Sequence, residues 1–420
     1  MVEKVKTLNR LPVAAEVSVV DRRQPIFKIL VNGIDFVESG LHFCVQEIDL
    51  EMIDEGLSKV TVFLVNDGTN FTDDLFFVEG ARIQIFMGYQ AAGFVFMGQF
   101  ILDTPRFEHT STRAPRILLQ GFSEEILLAN EEKRRTFKNI TDSRVAEIIA
   151  AENNLRPDID QTSIIYPQIS QVNESDMKFL QERAKLNGFQ VYIEDSVLHY
   201  HKVRNDVEDV LLNYNDSDKG HLFMFNATIK RFKKAFTAEY SSIDPLSGKY
   251  IDLEAKEVKD AFSLKDENNV KDPRLAEDIT GSPKKFIMGE GHIINPSELS
   301  LIAAAQVESS RWVVTAQAGS WGNPRVKPRR IITIEGVKKF SGQYYVKKVR
   351  HKIGKGYNMI IELRRTLTGK LRNATPIIRE KTSSSGTRAP QRGNDLDFGK
   401  PNPQIGVVNT RPGSVDVGNA

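Results

Sequence analysis

Alternating apolar and polar residues mark out short segments through the first third of the chain. The first, at 26–31, is followed by Asn32-Gly33, a pair that favours a two-residue hairpin turn. Further segments of the same kind lie at 45–52, 59–65, 82–87, 94–102 and 116–122. The period of two along each segment predicts six or seven short antiparallel strands, and a small barrel or sandwich is the natural way to cover their edges.

A second copy of part of this pattern occurs late in the chain. Residues 96–102 read Phe-Met-Gly-Gln-Phe-Ile-Leu and residues 340–346 read Phe-Ser-Gly-Gln-Tyr-Tyr-Val, which is one order of aromatic, glycine, glutamine, aromatic and aliphatic positions. Each copy lies between two apolar runs, which are found at 82–86 and 116–120 in one case and at 330–334 and 358–362 in the other. A repeat of a whole strand–turn–strand–loop–strand pattern predicts two copies of one β module.

The hydrophobic period changes to that of helices over 137–203. One helix has Thr141 or Ser143 as its N-cap, and a second begins near Asn173 and stops at Gly188, whose conformational freedom suits a left-handed C-cap. Two strand-like runs separated by a short turn follow at once. This stretch predicts a compact α/β insertion that is separate from the β modules.

Strand patterns return after the insertion. Strands are predicted within 222–256, where a hairpin loop falls at 244–248, and again at 312–319, 330–335, 342–351 and 357–364. Between them lie a charged, irregular excursion and a helix from about Glu298 to Arg311. Beyond Gly369 the composition shifts to Ser, Gly, Pro, Asn and Arg, which cannot bury enough apolar surface to order the segment in isolation.

The fold class predicted from these patterns is mainly β with an α+β insertion. A chain of 420 residues exceeds what one core usually fills, so several domains are expected. The predicted domains are an N-terminal arm at 1–15, a first tube-like antiparallel β-barrel at 16–130, the α/β insertion domain at 131–205, a second tube-like β-barrel at 206–370 with an irregular excursion at 257–297, and a flexible, Pro/Gly/Ser-rich extended tail at 371–420.

Composition narrows the possible partners. The 57 basic and 55 acidic side chains nearly cancel, so there is no overall attraction to nucleic acid or to an anionic membrane. Basic residues crowd the stretch from Lys327 to Lys355, which we interpret as a solvated strand face in preference to a nucleic-acid path. The single cysteine, Cys44, excludes an intramolecular disulfide and is expected to be a buried thiol. Neither a secretory signal nor a membrane-spanning run is predicted.

Few residues are candidates for chemistry. His199 and His201 share a strand face near Glu194, but the sequence offers no third or fourth ligand at metal-binding spacing. Glu124 and Glu125 form a carboxylate pair of a kind expected by chance in an acid-rich chain. Phosphate-binding loops, serine-hydrolase elbows and zinc-protease motifs do not occur. We therefore assign no catalytic, cofactor-binding or metal-binding residue and expect no cofactor.

The order of the segments resembles that of contractile-tail baseplate hub proteins, the phage late control D family, and the N-terminal hub part of VgrG spike proteins. Three stretches carry the resemblance: 171–180 leading to the hairpin after Gly188, the loop 319–328, and 342–351. Two departures stand out. Arg329 replaces a glycine that usually follows the loop proline, and nothing after Leu371 looks like a β-helical spike.

This resemblance implies a structural role and no enzymatic activity. A homotrimer of such a chain would present six barrels in a ring and adapt a six-fold tail tube to a three-fold spike around a central channel. The implied partners are the tail tube protein hexamer, a separate central spike protein, baseplate wedge proteins and a tape measure protein in the lumen. The implied location is the virion tail baseplate, or an injection particle, assembled in the bacterial cytoplasm.

Two readings from other classes remain open. A tail-associated carbohydrate- or receptor-binding protein would expose an aromatic cleft, for which only Trp312 and Trp321 are available. A cell-wall hydrolase would need acids on the insertion helices, where Glu147, Glu152 and Asp176 are the obvious ones and suit exposed positions better. We rank the hub first, the binding protein second and the hydrolase third. The sequence does not distinguish a phage from a tail-like bacteriocin or an injection device.

Overall fold

The structure is a computed structural model of the whole chain, of which the following residues are described: 24–66, 77–110, 113–204, 206–214, 221–229, 237–243, 250–256, 285–287, 305, 312, 314–365 and 377–380. Strands dominate these residues. None of the helices among them combines the length and the apolar character needed to cross a membrane. The predicted N-terminal arm, the helix at 298–311 except for Ala305, and most of the excursion at 257–297 lie outside the described residues.

The first half of the chain contributes thirteen strands and three α-helices. In chain order they are β1 (Pro25–Val31), β2 (Ile34–Asp35), β3 (Val45–Ile53), β4 (Lys59–Val65), β5 (Arg82–Tyr89), β6 (Gly93–Leu102), β7 (Arg106–Thr110), β8 (Arg113–Ser123), α1 (Ile126–Ala129), β9 (Glu132–Ile140), α2 (Asp142–Glu152), β10 (Arg156–Ile159), β11 (Tyr166–Ser175), α3 (Asp176–Asn187), β12 (Phe189–Glu194) and β13 (Val197–Lys202). A short 3-10 helix, Leu41–Cys44, precedes β3.

The second half contributes the remaining described strands. They are β14 (Asp206–Asn213), β15 (Leu222–Ile229), β16 (Thr237–Ile243), β17 (Tyr250–Lys256), β18 (Lys285–Ile287), β19 (Val314–Trp321), β20 (Arg330–Glu335), β21 (Gly342–Ile353), β22 (Tyr357–Arg365) and β23 (Ile377–Glu380). Most strands predicted from the period of two are confirmed to within a few residues. The predicted hairpin after 26–31 is also confirmed, because Asn32 and Gly33 both have positive φ between β1 and β2.

One large sheet contains strands from both predicted modules. Its hydrogen-bonded order is β15-β19-β22-β21-β3-β4-β8-β6-β5-β1-β2, with β14 on β20, β20 on β21, and β7 on β8. The internal repeat is visible in this order, since β3-β4-β8-β6-β5 and β15-β19-β22-β21-β20 are the same succession of antiparallel pairs. The copies differ at one end, where β1 pairs antiparallel with β5 but β14 pairs parallel with β20.

Irregularities in the strands repeat as well. The β3–β4 ladder has a bulge between Val45 and Glu47, and the β15–β19 ladder has one between Leu222 and Met224. The repeated glycines, Gly98 and Gly342, have φ of 154° and 139°. Side chains rarely tolerate that region, so the backbone conformation at this motif position favours glycine in both copies.

Two hydrophobic cores hold the described part of the chain together. The larger one draws buried residues from both β modules and includes Ile48, Leu50, Val349 and Ile361. The smaller one lies in the insertion and packs α2 and α3 against the strands around them. Alternation of buried and exposed positions along the module strands is what places one face of the sheet in the larger core.

The insertion has two small sheets beside its helices. The strands β10-β13-β12 form one, with β10 and β13 parallel, and β9 and β11 form the other. Thr141 caps α2, and Gly188 ends α3 with φ of 65°, as predicted. The predicted start of the second helix near Asn173 is wrong: β11 continues to Ser175, and the Ser175 hydroxyl accepts from the Lys178 amide to cap α3.

Two further features differ from the sequence expectation. The strands β18-β16-β17-β23 form a separate four-stranded sheet, although 237–256 was expected to join the second module. Its last strand, Ile377–Glu380, falls in the predicted tail and pairs with β17, so these four residues are ordered by a main-chain ladder within the same chain. The rest of that tail lies outside the described residues.

The fold class, mainly β with an α/β insertion, is confirmed by this architecture. The closure of each module into a barrel and the domain boundaries remain predictions. The described strands are joined across the module boundary by the hydrogen bonds between β21 and β3.

Candidate functional site

The two β modules meet along one ladder, which we call the module joint: residues 348–353 of β21 with residues 48–53 of β3. The strands are antiparallel, and Arg350 lies opposite Glu51. Nearly three hundred residues of chain separate the partners, yet the joint makes the two modules one continuous sheet. Main-chain hydrogen bonds of this kind are independent of side-chain identity, so the same edge-to-edge contact is available to any strand of matching length.

Charged side chains form a ladder on the solvent face of the module joint. Lys348 pairs with Glu51 at 2.9 Å and Lys352 pairs with Glu47 at 2.8 Å. Between them the Arg350 guanidinium donates through Nε to Asp49 Oδ1 at 2.7 Å and through Nη2 to the other oxygen. Part of the basic stretch of the sequence therefore lies on a solvated strand face, as interpreted, and is neutralised there by acids of the other module.

A neutral histidine is buried on the core side of the joint. His351 Nε2 donates to the Val326 carbonyl at 2.9 Å, and the Tyr357 hydroxyl donates to His351 Nδ1 at 3.0 Å. Complete burial, opposed only in part by the Val326 hydrogen bond, lowers the pKa of His351 to about 4. The tautomer with a proton on Nε2 satisfies both partners, so His351 is a structural polar residue of the joint.

Glu124 and Glu125, the carboxylate pair expected by chance from composition, anchor the insertion to the modules. Glu124 accepts from the Ser196 amide at 2.8 Å and from Gln99, the glutamine of the repeat motif, at 2.9 Å. Glu125 accepts from the Ile193 amide at 3.2 Å, and burial raises the pKa of this carboxyl. Both acids therefore hold the β12–β13 hairpin.

Arg329 reinforces this anchor from the other module. It adopts φ of 65°, so the turn keeps the left-handed conformation for which glycine is usual at this position. Its guanidinium lies over the Tyr192 ring at 3.8 Å and donates to the carbonyls of Ile53 and Asp54 at 3.2 Å each. These contacts join the insertion hairpin to β3, and they offset the strain of a side chain at this φ.

The histidine pair on the insertion hairpin has a third potential ligand that the sequence did not reveal. Asp158 lies beside His199 across the parallel β10–β13 ladder, and one ligand atom each from Asp158, His199 and His201 lie within 4.8 Å of one another. All three are engaged: Asp158 accepts from both Arg204 amino groups and contacts His199 Nδ1 at 2.8 Å. His201 Nδ1 bonds the Lys202 carbonyl, and Tyr192 stacks on His199.

Electrostatics favour the structural reading of these histidines. Burial lowers the pKa of both His199 and His201, so each ring is neutral at pH 7. The guanidinium of Arg204 holds the pKa of Asp158 at about 2, a stronger effect than its partial burial. Glu194, the other acid considered, lies 3.8 Å from Arg329. An arginine fork on the only carboxylate of the cluster competes with a cation for the same oxygens.

The acids named for a hydrolase do not form a catalytic pair. Glu147 binds Arg144 and Gln161 on the surface of α2. Glu152 pairs with Arg135, which also pairs with Asp176. Asp176 is buried, contrary to the exposed position expected. Burial by itself raises its pKa, but hydrogen bonds from Lys133 and Gln171 outweigh that effect, so the pKa is lowered.

The tryptophans and the cysteine occupy unlike environments. Trp312 packs on Tyr345 with a ring-centroid distance of 5.3 Å and under the Arg364 guanidinium. Trp321 is 49 % exposed and meets Phe223, itself 54 % exposed, edge to face. Cys44 is only partly buried, at the end of the 3-10 helix, and has no disulfide partner. An exposed aromatic pair therefore exists at the β15–β19 edge of the sheet.

Comparison with solved structures assigns the fold. A prophage MuSo2 43 kDa tail protein from Shewanella oneidensis has a TM-score of 0.59 at 10 % identity, with 82 % of this chain and 99 % of that chain covered. A tail protein from Neisseria meningitidis MC58 has a TM-score of 0.54 at 11 % identity, with coverages of 81 % and 96 %. At these identities the similarity shows a shared fold, which is that of tail proteins.

Comparison with sequences gives a family. The profile of the family described as the Alg8 N-terminal domain matches residues 27–355, which is well over half of the chain. No curated protein matches the sequence. The matching family is not the late control D family, so only the tail-type fold remains of the resemblance drawn from the sequence.

Proposed function

Because the chain belongs to the Alg8 N-terminal domain family and has the fold of two bacterial tail proteins, we propose that it is a structural component of a phage tail or related injection machine. More specifically, we propose a baseplate hub that forms a homotrimer. Its six β modules would surround a central channel and adapt the six-fold tail tube to a three-fold spike. The family name describes a domain and states no activity.

The module joint is the observation that supports this function best. Two copies of one strand succession lie side by side in one sheet, joined by a main-chain ladder and three pairs of opposite charges. One chain is therefore a fixed pair of equivalent modules. Three such chains related by a three-fold axis would supply six modules at nearly equivalent positions, which is the arrangement needed to match a hexamer on one side and a trimer on the other.

The insertion suits a bracing role in this assembly. Glu124, Glu125 and Arg329 tie its hairpin to the modules through buried or partly buried hydrogen bonds. A rigidly attached projection can hold a neighbouring subunit or a wedge protein in register. The proposed partners are the tube protein hexamer, a central spike protein, wedge proteins and a tape measure protein in the lumen. The proposed location is the tail baseplate of a virion or injection particle, assembled in the bacterial cytoplasm.

The proposal includes the absence of an enzymatic role. The carboxylates and histidines described above each have structural partners, and the acids of α2 and α3 are held in ion pairs. A second candidate function, binding of a carbohydrate or receptor, is favoured only by the exposed Trp321–Phe223 pair. In the hub reading the same pair would be covered by a neighbouring subunit, since exposed aromatics near a sheet edge are typical of interface cores.

Electron microscopy of the purified full-length chain, alone and mixed with the tube and spike proteins encoded with it, tests the hub function. We expect end-on class averages with six lobes in three-fold symmetry around a central channel, and density for tube and spike on opposite faces. A Trp321→Ala variant distinguishes the second candidate, since the hub reading predicts weaker assembly and the other reading predicts lost adhesion to host surfaces. Particles without a channel that bind neither tube nor spike would contradict the hub function.

A further inference from the structure

Among the unpaired strand edges in the described part of the sheet, two are the repeat equivalents of edges that pair within the chain. The outer edge of β15 corresponds to the edge of β3 that pairs with β21. The outer edge of β7 corresponds to the edge that the second half of β21 presents to β3. We propose that β15 of one copy adds to β7 of the next copy and reproduces the module joint between chains. This inference rests on the proposed function and gives it an atomic register.

The equivalence of β7 with the second half of β21 follows from their ladders. β6 and β7 run along β8 as one interrupted strand, whose register shifts by one residue between Leu102 and Arg106. β21 runs along β22 with the same shift between Val346 and Lys348. In both copies the strand before the shift also pairs with its predecessor, β5 or β20. After the shift, the free edge of β21 pairs with β3, whereas the equivalent edge of β7 has no described partner.

The equivalence of β3 with β15 is fixed by the matching bulges. Counting from them, Val45 corresponds to Leu222, and Glu51 therefore corresponds to Thr228. Counting from the repeated glycines, Gly98 and Gly342, Arg350 corresponds to Arg106. Within the chain Arg350 lies opposite Glu51. The register between copies thus follows: Arg106 of one copy lies opposite Thr228 of the next.

The side chains at these edges suit such a contact. Phe107 on β7 is 41 % exposed, and the proposed register sets it opposite Ala227, a small residue that leaves room for the ring. The Phe223 ring lies farther along the same edge of β15. Pro105 has no N–H to donate, so the ladder would begin at Arg106. An unprotected edge with exposed aromatics is a hazard in a monomer, and pairing with another copy removes it.

The two joints differ in charge. The module joint carries three acid–base pairs, whereas β15 contributes the neutral residues Asn226 and Thr228 opposite β7. The contact between copies is therefore expected to depend little on salt, while the joint within the chain weakens at high ionic strength. Because β15 and β7 are different edges, the contact is head-to-tail, and it forms a closed ring only if the rotation between copies closes.

Disulfide trapping tests the register in the full-length chain with Cys44→Ser as background. Arg106→Cys and Thr228→Cys are made in separate chains, mixed and mildly oxidised; both sites are exposed, and each single variant should keep the mass of the wild type. We expect a covalent dimer from the mixture on a non-reducing gel, and a closed covalent trimer when both changes are in one chain. Arg350→Cys with Glu51→Cys in one chain is the matched control, which should link without a change in mass.

An off-register pair completes the design. In a mixture of Arg106→Cys and Met224→Cys chains, the second cysteine lies four residues, or about 13 Å, along β15 from the position opposite residue 106. That distance is too long for a disulfide, so no dimer is expected. A trimer by mass that gives no Arg106–Thr228 link, or links both pairs equally, overturns the edge pairing and leaves the hub function standing. A link that yields ladders longer than three chains supports the pairing and contradicts the trimeric hub. A monomer that forms no link contradicts both.

Discussion

Replacement of His351 is the sharpest test of how the module joint is held together. Its imidazole is enclosed, donates to Val326 and accepts from Tyr357, and has no solvent access through which to gain a proton. Burial lowers the pKa of His351 to about 4 from the usual 6.5. In the unfolded chain the ring titrates normally, so the unfolded state binds a proton that the folded state refuses over this interval.

The sign and size follow from linkage. Because the pKa of His351 is lower in the folded chain than in the unfolded chain, its contribution to the free energy of unfolding is fully present above pH 6.5. That contribution is lost as the pH falls toward about 4. The whole shift is worth about 3 kcal/mol, and the part lost between pH 7.5 and pH 5.5 is about 1 kcal/mol. His351→Gln retains a donor and an acceptor but has no proton to gain. We expect it to be less stable than wild type at pH 7.5, by about 1–3 kcal/mol, and to lack that pH-dependent loss.

Urea unfolding of wild type and His351→Gln at pH 7.5 and pH 5.5 measures the difference directly. Other titrating groups are shared and cancel in the comparison. If the free energy of unfolding of His351→Gln falls between the two pH values as much as that of wild type, His351 is not the group that folding keeps neutral.

Three further predictions concern packing and the insertion anchor. Gly322→Ala would place a methyl carbon 2.1 Å from ring carbons of Tyr357 and should lower the free energy of unfolding by about 1–3 kcal/mol, whereas Gly356→Ala, with no atom within 4 Å, should stay near wild type in the same urea titration. Equal effects would contradict the packing account. Arg329→Ala should speed hydrogen exchange in the β12–β13 hairpin and leave the large core unchanged; unchanged hairpin exchange would count against the anchor. The pKa of Glu125 is raised in the folded chain, so its contribution to the free energy of unfolding is present below about pH 4.5. That contribution is lost as the pH rises through the pKa of Glu125 in the folded chain. Glu125→Gln should flatten that decline, and a decline as steep as in wild type would show that another group causes it.

Much of the fold was accessible from the sequence because it depends on local pattern. The strand period, the Asn32-Gly33 turn and the repeated glycine each report a local backbone requirement, and the structure contains all three. The start of α3 was misplaced since Asn173 has positive φ within a strand bulge, where asparagine is tolerated, and so looked like a helix cap.

The site was less accessible because it depends on long-range pairing. Nothing local says that β3 meets β21, although a signal was present: the alternating acids Glu47, Asp49 and Glu51 complement the alternating bases of β21. Asp158 joins His199 only through a parallel pairing that propensity does not predict. Likewise the role of Glu124 and Glu125 appears only when the hairpin folds back onto them.

The decisive test of the trimeric hub is the mass of the purified full-length chain in solution, measured by light scattering over a range of concentrations. The hub function predicts a closed trimer of about 142 kDa, three times the 47.4 kDa of one chain. The mass should be insensitive to salt, because β15 has no charged side chain with which those of β7 could pair between copies. A constant mass of 47.4 kDa at every concentration, unchanged when tube and spike proteins are added, would contradict the account.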